Sequence, residues 1–295
     1  MTVPRVLVNK GTASMLRWIL LLALMSCPAL AMGQSQPSAD EIMARVATNQ
    51  DLAAKQRAEY VYQQQIRVIS HKSNGKLMRD ETTDYQVTPT PDGTKKELKQ
   101  VVGRAWVKDH YADFDKEPGP NPDGLDGDLV HDLRDDLANE KSKDGLAGDL
   151  FPLTSDQQKG YRFELEGEET INGRGAYRIH FVPSDKHTWE DDNPPWAGEA
   201  LIDAQDFQPV RVYTKLAHKL PLFVRTVLGT NLPGIGFDVE YRRFEDGVWF
   251  PISFGTEFRL RVIFFIKRDI SISLRNSAFE HVHVRSKMLD YKPVQ

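Results

Sequence analysis

The spacing of apolar residues changes several times along the chain, and each change marks an element. From Trp18 to Leu24 the apolar residues are nearly continuous. At Ile42, Met43 and Val46 they recur at helical intervals. Ser38, with Glu41 three positions on, has the form of a capping box, so a helix is predicted from Ser38 to about Arg57. From Tyr60 the period becomes two. Tyr60, Tyr62, Gln64, Ile66 and Val68 share one face of an extended run that ends in Ser73-Asn74-Gly75-Lys76, an Asn-Gly hairpin turn. Further strands are predicted over 81–87, 97–104, 161–166, 176–182, 200–203, 209–215, 237–244, 249–261 and 268–275. Asn172-Gly173-Arg174-Gly175 and Glu245-Asp246-Gly247 supply turns between neighbours. Connections this short join antiparallel strands, because a parallel pair needs a long crossover. The expectation is a mainly β (α+β) fold whose sheet is an antiparallel meander.

Two stretches interrupt the strands. Residues 116–148 are rich in Pro, Gly and Asp around a short predicted helix, 129–137, and are expected to form an excursion on the surface or rim. Residues 219–236 are apolar but punctuated by Pro and Gly. They suit either a helix buried under the sheet or a flap whose Leu222, Phe223, Val227 and Leu228 close a hydrophobic opening, since such a patch is costly in water without a partner.

The longest alternating run is the last. Phe258, Leu260, Val262, Phe264 and Ile266, then Ile270, Ile272 and Leu274, occupy even positions, while Arg259, Arg261, Lys267 and Arg275 occupy odd ones. Such alternation places a greasy face inward and a charged face toward water. That face either packs as core or, on a curved sheet with few helices to cover it, lines a cavity for an apolar ligand. Phe258, Leu260, Val262, Phe264 and Ile266 are the candidate cavity residues and Leu222, Phe223, Val227 and Leu228 the candidate lid.

Arg5, Lys10 and Arg17 precede the first apolar run, and Ala29-Leu30-Ala31 follows it. A basic flank, a short apolar core and a small-x-small end make a secretory signal peptide, expected to occupy 1–33 and to leave 34–295 as a single exported domain. The one cysteine, Cys27, falls inside this leader. Cleavage after Ala31 or Gly33 removes it, leaving a periplasmic domain without disulfides. Leu24-Met25-Ser26-Cys27 also resembles a lipobox, which would instead lipidate Cys27 and anchor the protein to a membrane.

Over the whole chain, 38 Lys+Arg against 42 Asp+Glu give a net charge of -4, which speaks against a nucleic-acid partner, since such binders carry a basic stripe. Catalytic signatures are wanting. There is no Gly-x-Ser-x-Gly elbow and no phosphate-binding glycine loop. His281 and His283 have strand spacing without further ligands, and are read as ordinary strand residues. Asp123, Asp126 and Asp128 form an acidic loop without the register or terminal Glu of an EF-hand. Glu168-Glu169 and Asp191-Asp192 read as solvated loop charges, and Trp189 and Trp196 as aromatic packing around Pro194-Pro195 or a pocket mouth. A protein without enzymatic activity, metal or cofactor is expected.

Several phrases together carry a family resemblance. Ile171-Asn172-Gly173 through Tyr177-Arg178-Ile179, Trp196-Ala197-Gly198-Glu199-Ala200-Leu201-Ile202-Asp203, Phe207-Gln208-Pro209-Val210, Tyr241-Arg242-Arg243 and Asp246-Gly247-Val248-Trp249-Phe250-Pro251 follow a leader and an opening helix. In this arrangement the chain resembles bacterial periplasmic proteins of the lipoprotein-sorting carrier type, the LolA/LolB-like proteins and their larger relatives. The resemblance implies an unclosed antiparallel half-barrel with a few covering helices and an apolar cavity for the acyl chain of a lipid or lipoprotein. The insertion at 116–148 has no counterpart in the dedicated carriers, which leaves lipid binding or sensing beside sorting. The alternative is an envelope protein with a filled core whose surface binds another protein.

Overall fold

The computed structural model describes residues 36–90, 93–116, 124–137, 152–184, 196–217, 235–262 and 266–282. The chain divides into two units, 1–37 and 38–295, and the architecture below is that of the second. The expected leader, with Cys27, the candidate lid, Phe264, Trp189, Asp123, Asp191-Asp192 and His283 lie outside the described residues, as does the side chain of Val262.

The capping box predicted at Ser38 forms. Glu41 donates its backbone N–H to Ser38 Oγ at 3.2 Å, and its carboxylate accepts from the Ser38 N–H at 2.8 Å. The helix that follows, α1 (Ala39–Arg57), buries Ile42, Met43, Val46, Ala47 and Ala53 along one stripe. Eleven strands come next: β1 (Tyr60–Lys72), β2 (Leu77–Thr90), β3 (Gly93–Val107), β4 (His110–Phe114), β5 (Tyr161–Ile171), β6 (Arg174–Pro183), β7 (Trp196–Asp203), β8 (Pro209–Leu216), β9 (Gly236–Arg243), β10 (Trp249–Val262) and β11 (Ile266–His281). Helices α2 (Leu125–Leu137) and α3 (Ser155–Gln158) lie between β4 and β5.

All strands belong to one antiparallel sheet in the order β4-β3-β2-β1-β11-β10-β9-β8-β7-β6-β5. The order is linear, with β4 and β5 at its ends, so the sheet stays open as an unclosed half-barrel. The simple meander is corrected in one respect. Two meanders, β1 to β4 and β5 to β11, are joined along β1 and β11, where Ile66 lies opposite Leu274 and Val68 opposite Ile272. Gln64 Nε2 donates to Asn276 Oδ1 across this seam at 3.0 Å, between buried residues 212 positions apart.

Turn chemistry sets the local registers. Asn172 and Gly173 both take positive φ, 52° and 80°, as a two-residue turn that matches strand twist requires, and Ile171 then faces Arg174. Gly198 permits a close approach of β7 to β8, because a Cβ there would run into the Tyr213 carbonyl. Strand β4 was not foreseen, and Glu168-Glu169, expected in a loop, lie within β5, where Glu169 accepts from Arg178 Nη2 at 2.9 Å.

The core lies on the inner face. Ile66, Val68, Val87, Ile179, Phe181, Ile202, Val212, Val239, Phe254, Ile270 and Leu274 pack there with Ile42, Met43 and Val46 of α1 and Val130 of α2. Among the described residues no helix is long and apolar enough to cross a membrane.

Candidate functional site

Among its described residues, the final alternating run folds with the predicted alternation. Even positions of β10 and β11 face inward: Phe254, Ile270, Ile272 and Leu274 are buried, Phe258 and Leu260 half-buried against the core. Arg259, Arg261, Lys267 and Arg275 are exposed on the opposite face. Phe258 pairs with Ile270, Leu260 with Arg268 and Val262 with Ile266, which is itself half-buried.

Helices cover this inner face unevenly. The packing of α2 is on β1 and β2, and that of α1 is on β5 and β10. On the strands from β10 to β7, Trp196 at the start of β7 meets Phe237 of β9 edge-on at 4.8 Å, and Phe237 stacks on Phe254 of β10 at 5.2 Å. Trp196 is thus part of an aromatic strip on the inner face, continued along β10 by Phe258 and Leu260. Tyr161 Oη accepts from the Trp196 backbone N–H at 3.3 Å, fixing the entry of β7 against edge strand β5. Burial holds the Tyr161 phenol above its ordinary range.

One border of the strip is ionic, which the sequence reading missed. Position 268 belongs to the inward set, yet it is an arginine. Arg268 donates from Nε and Nη2 to Asp126 at 2.5 and 2.7 Å, and Ser70 Oγ reaches the same carboxylate at 3.1 Å. Asp126 is therefore not part of a solvated acidic loop. It stands in the first turn of α2, 6% exposed, and the helix begins four residues before the predicted start at Leu129. At the other end of α2, Arg134 Nη1 donates to Glu81 at 3.2 Å, and Arg79 grips Glu81 at 2.6 and 3.0 Å. Far from being a rim excursion, α2 is anchored through both ends to the sheet, with Val130 fully buried between them.

A second polar network ties α1 to the turn after β7. Arg174 chelates Asp203 at 2.5 and 2.7 Å, and Asp206 accepts from Arg243 Nε and Trp249 Nε1 at 2.8 and 3.0 Å. Asn49 and Gln50 of α1 donate to the Asp206 carbonyl and to Gln208. Burial opposes the charge of Asp203, but Arg174 and the backbone N–H groups of Gln205 and Asp206 outweigh it and hold the carboxyl below its usual range. A cleft of ≈220 Å³ opens beside this network, lined by Asn172, Arg174, Tyr241 and Trp249. Another, of ≈430 Å³, lies on the outer face over Tyr213, Asp238, Gly255 and Ser273.

His281, read as an ordinary strand residue, bonds Glu59 at 3.0 Å and meets Tyr60 edge-on. Among the described residues no cluster of three metal-ligating side chains occurs.

No family model matches the chain, and no curated protein matches its sequence. Solved structures do. The chain is similar to a domain named for outer membrane lipoprotein sorting from Vibrio parahaemolyticus, with 11% identity over 84% of this chain and 95% of that one and a TM-score of 0.40. It is similar to a LolA superfamily protein from Nitrosomonas europaea, with 11% identity over 83% and 94% of the two chains and a TM-score of 0.33. A DUF1329 family protein from Desulfovibrio piger gives 10% identity over 83% and 94%, with a TM-score of 0.35.

Proposed function

We propose that this chain is a non-enzymatic protein of the bacterial envelope that holds an acyl chain of a lipid or lipoprotein against the inner face of its half-barrel. The supporting observation is the strip of Trp196, Phe237, Phe254, Phe258 and Leu260, apolar side chains that run across β7, β9 and β10 on the inner face of the sheet. Removing apolar surface from water drives such binding at roughly 25 cal/mol per Å². Val262, Phe264 and Ile266 extend the strip in this reading, and Leu222, Phe223, Val227 and Leu228 close it. The leader directs the protein to the periplasm, where outer membrane lipoprotein sorting is one setting for the activity.

The test is uptake of a pyrene-labelled fatty acid by the purified protein, with native mass spectrometry for lipid carried through purification. Phe258→Asp and Leu260→Asp are expected to lower affinity at least about tenfold. Their circular dichroism is compared with that of the parent. Wild-type protein that carries no lipid and takes none up has a filled core and returns the weight to an envelope interaction or sensing protein.

A further inference from the structure

Two inner-face hydroxyls beside the aromatic strip have no hydrogen-bond partner among the described residues. Thr214 of β8 and Thr256 of β10 are 0% and 6% exposed. Each Oγ1 is shut off from solvent and lacks a hydrogen-bond partner among the described residues. Their direction follows from alternation: Val212 and Thr214 are buried while Arg211, Tyr213 and Lys215 are exposed, and Thr256 lies between Phe254 and Phe258 on the inward set of β10. Both belong to one row across the sheet. Thr214 pairs with Phe237, and β9 pairs with β10 through Val239–Phe254 and Asp238–Gly255, so the next step sets Phe237 beside Thr256. Two strand spacings separate the threonines by about 10 Å, with the Phe237 ring between them.

A buried hydroxyl without a partner destabilises the state that contains it, and each such group in a native structure requires an explanation. Packing gives none here, because valine has nearly the same shape and fits a strand equally well. Among the described residues of β8, β9 and β10 the inward positions hold one cation, Arg243 at the far end of β9, which donates to Asp206, and Arg268 at the border donates to Asp126. The row therefore offers donors without positive charge, which suits a neutral oxygen acceptor and disfavours an ionised carboxylate.

Resting on the acyl-binding reading above, we infer that Thr214 and Thr256 form its polar subsite and donate hydrogen bonds to the carbonyl oxygens of an ester-linked acyl lipid, selecting it over an ionised fatty acid or a bare hydrocarbon. In the bound state the hydroxyls gain the partners they lack in the free one.

Three pyrene probes of equal chain length test this on the purified protein: a diacylglycerol, a fatty acid at pH 7 and an alkane. Wild type is expected to bind the ester most tightly. Thr214→Val and Thr256→Val should each lower ester affinity about three- to tenfold, as loss of one hydrogen bond does, leave alkane affinity unchanged, and unfold at the same or higher urea concentration. Thr214→Ser, which keeps the hydroxyl, should retain the ester preference. Equal losses for ester and alkane, unchanged ester affinity in both valine variants, or lowered stability of those variants would each overturn the assignment. Wild type that binds the alkane without preferring the ester defeats this subsite alone. Wild type that binds none of the three defeats the acyl-binding reading as well.

Discussion

Asp203 shows what one side chain contributes. It is 1% exposed, accepts two bonds from Arg174, and caps the backbone N–H groups of Gln205 and Asp206 at 2.9 and 2.7 Å. Its carboxyl titrates below the usual carboxylate range, so the folded state favours the charged form. The resulting stabilisation is complete above the unfolded-state pKa of about 4 and is lost as the pH falls from there through the lower folded value. Asp203→Asn should lower the unfolding free energy at pH 7 by about 1–3 kcal/mol, and the gap to wild type should shrink below about pH 4. Urea titrations at both pH values measure it; a gap independent of pH would place the effect elsewhere. At this scale the sequence was legible where a local rule applied. Ser38 and Glu41 cap α1, and Asn172-Gly173 turn β5 into β6, because both act within three residues. Arg268 was not legible, since its partner Asp126 is 142 positions away.

Among the elements, α2 depends most on ionic contacts. Its apolar stripe is short, with Val130 buried and Leu129 and Leu133 partly so, and its first and last turns are held by Asp126–Arg268 and Arg134–Glu81. Removing one partner leaves a charge buried without compensation, so Arg268→Met should cost about 3–5 kcal/mol. Replacing both residues, Arg268→Met with Asp126→Leu, should recover most of that loss, because a packed apolar pair avoids the desolvation of the ions. Denaturant unfolding of the two singles and the double closes the cycle, and additive losses would show that the two residues are not coupled. Strand β4 escaped prediction for an elemental reason. It is five residues long at a sheet edge with an exposed-to-intermediate pattern, so it carries no two-residue hydrophobic period. Strands β1 and β11 were legible because one face of each is buried and the other wet.

For the whole molecule, the seam between β1 and β11 makes one sheet of two meanders. Ile66 and Leu274 face each other across it, at 1% and 0% exposure. Each truncation, Ile66→Ala or Leu274→Ala, should cost about 2–5 kcal/mol, and the double variant should fall short of the sum by about 0.5–3 kcal/mol, because the two residues share one cavity. Circular dichroism and tryptophan fluorescence should report coincident unfolding curves. Separate transitions would mean that the meanders unfold independently.

Short-range information determined much of this protein: the cap of α1, the hairpin turns, and the alternation that sorts Phe258, Leu260, Ile270, Ile272 and Leu274 from Arg259, Arg261 and Arg275. Those signals survive in one dimension because periodicity, turn geometry and capping act over a few residues. Tertiary structure alone decided that β1 meets β11, that Asp126 and Arg134 fasten α2 to the sheet, and that Trp196, Phe237 and Phe254 form one strip with Thr214 and Thr256 in its midst. These are contacts between strands or helices distant in the chain, set by sheet order and register, and no local pattern encodes which distant residue a side chain will meet.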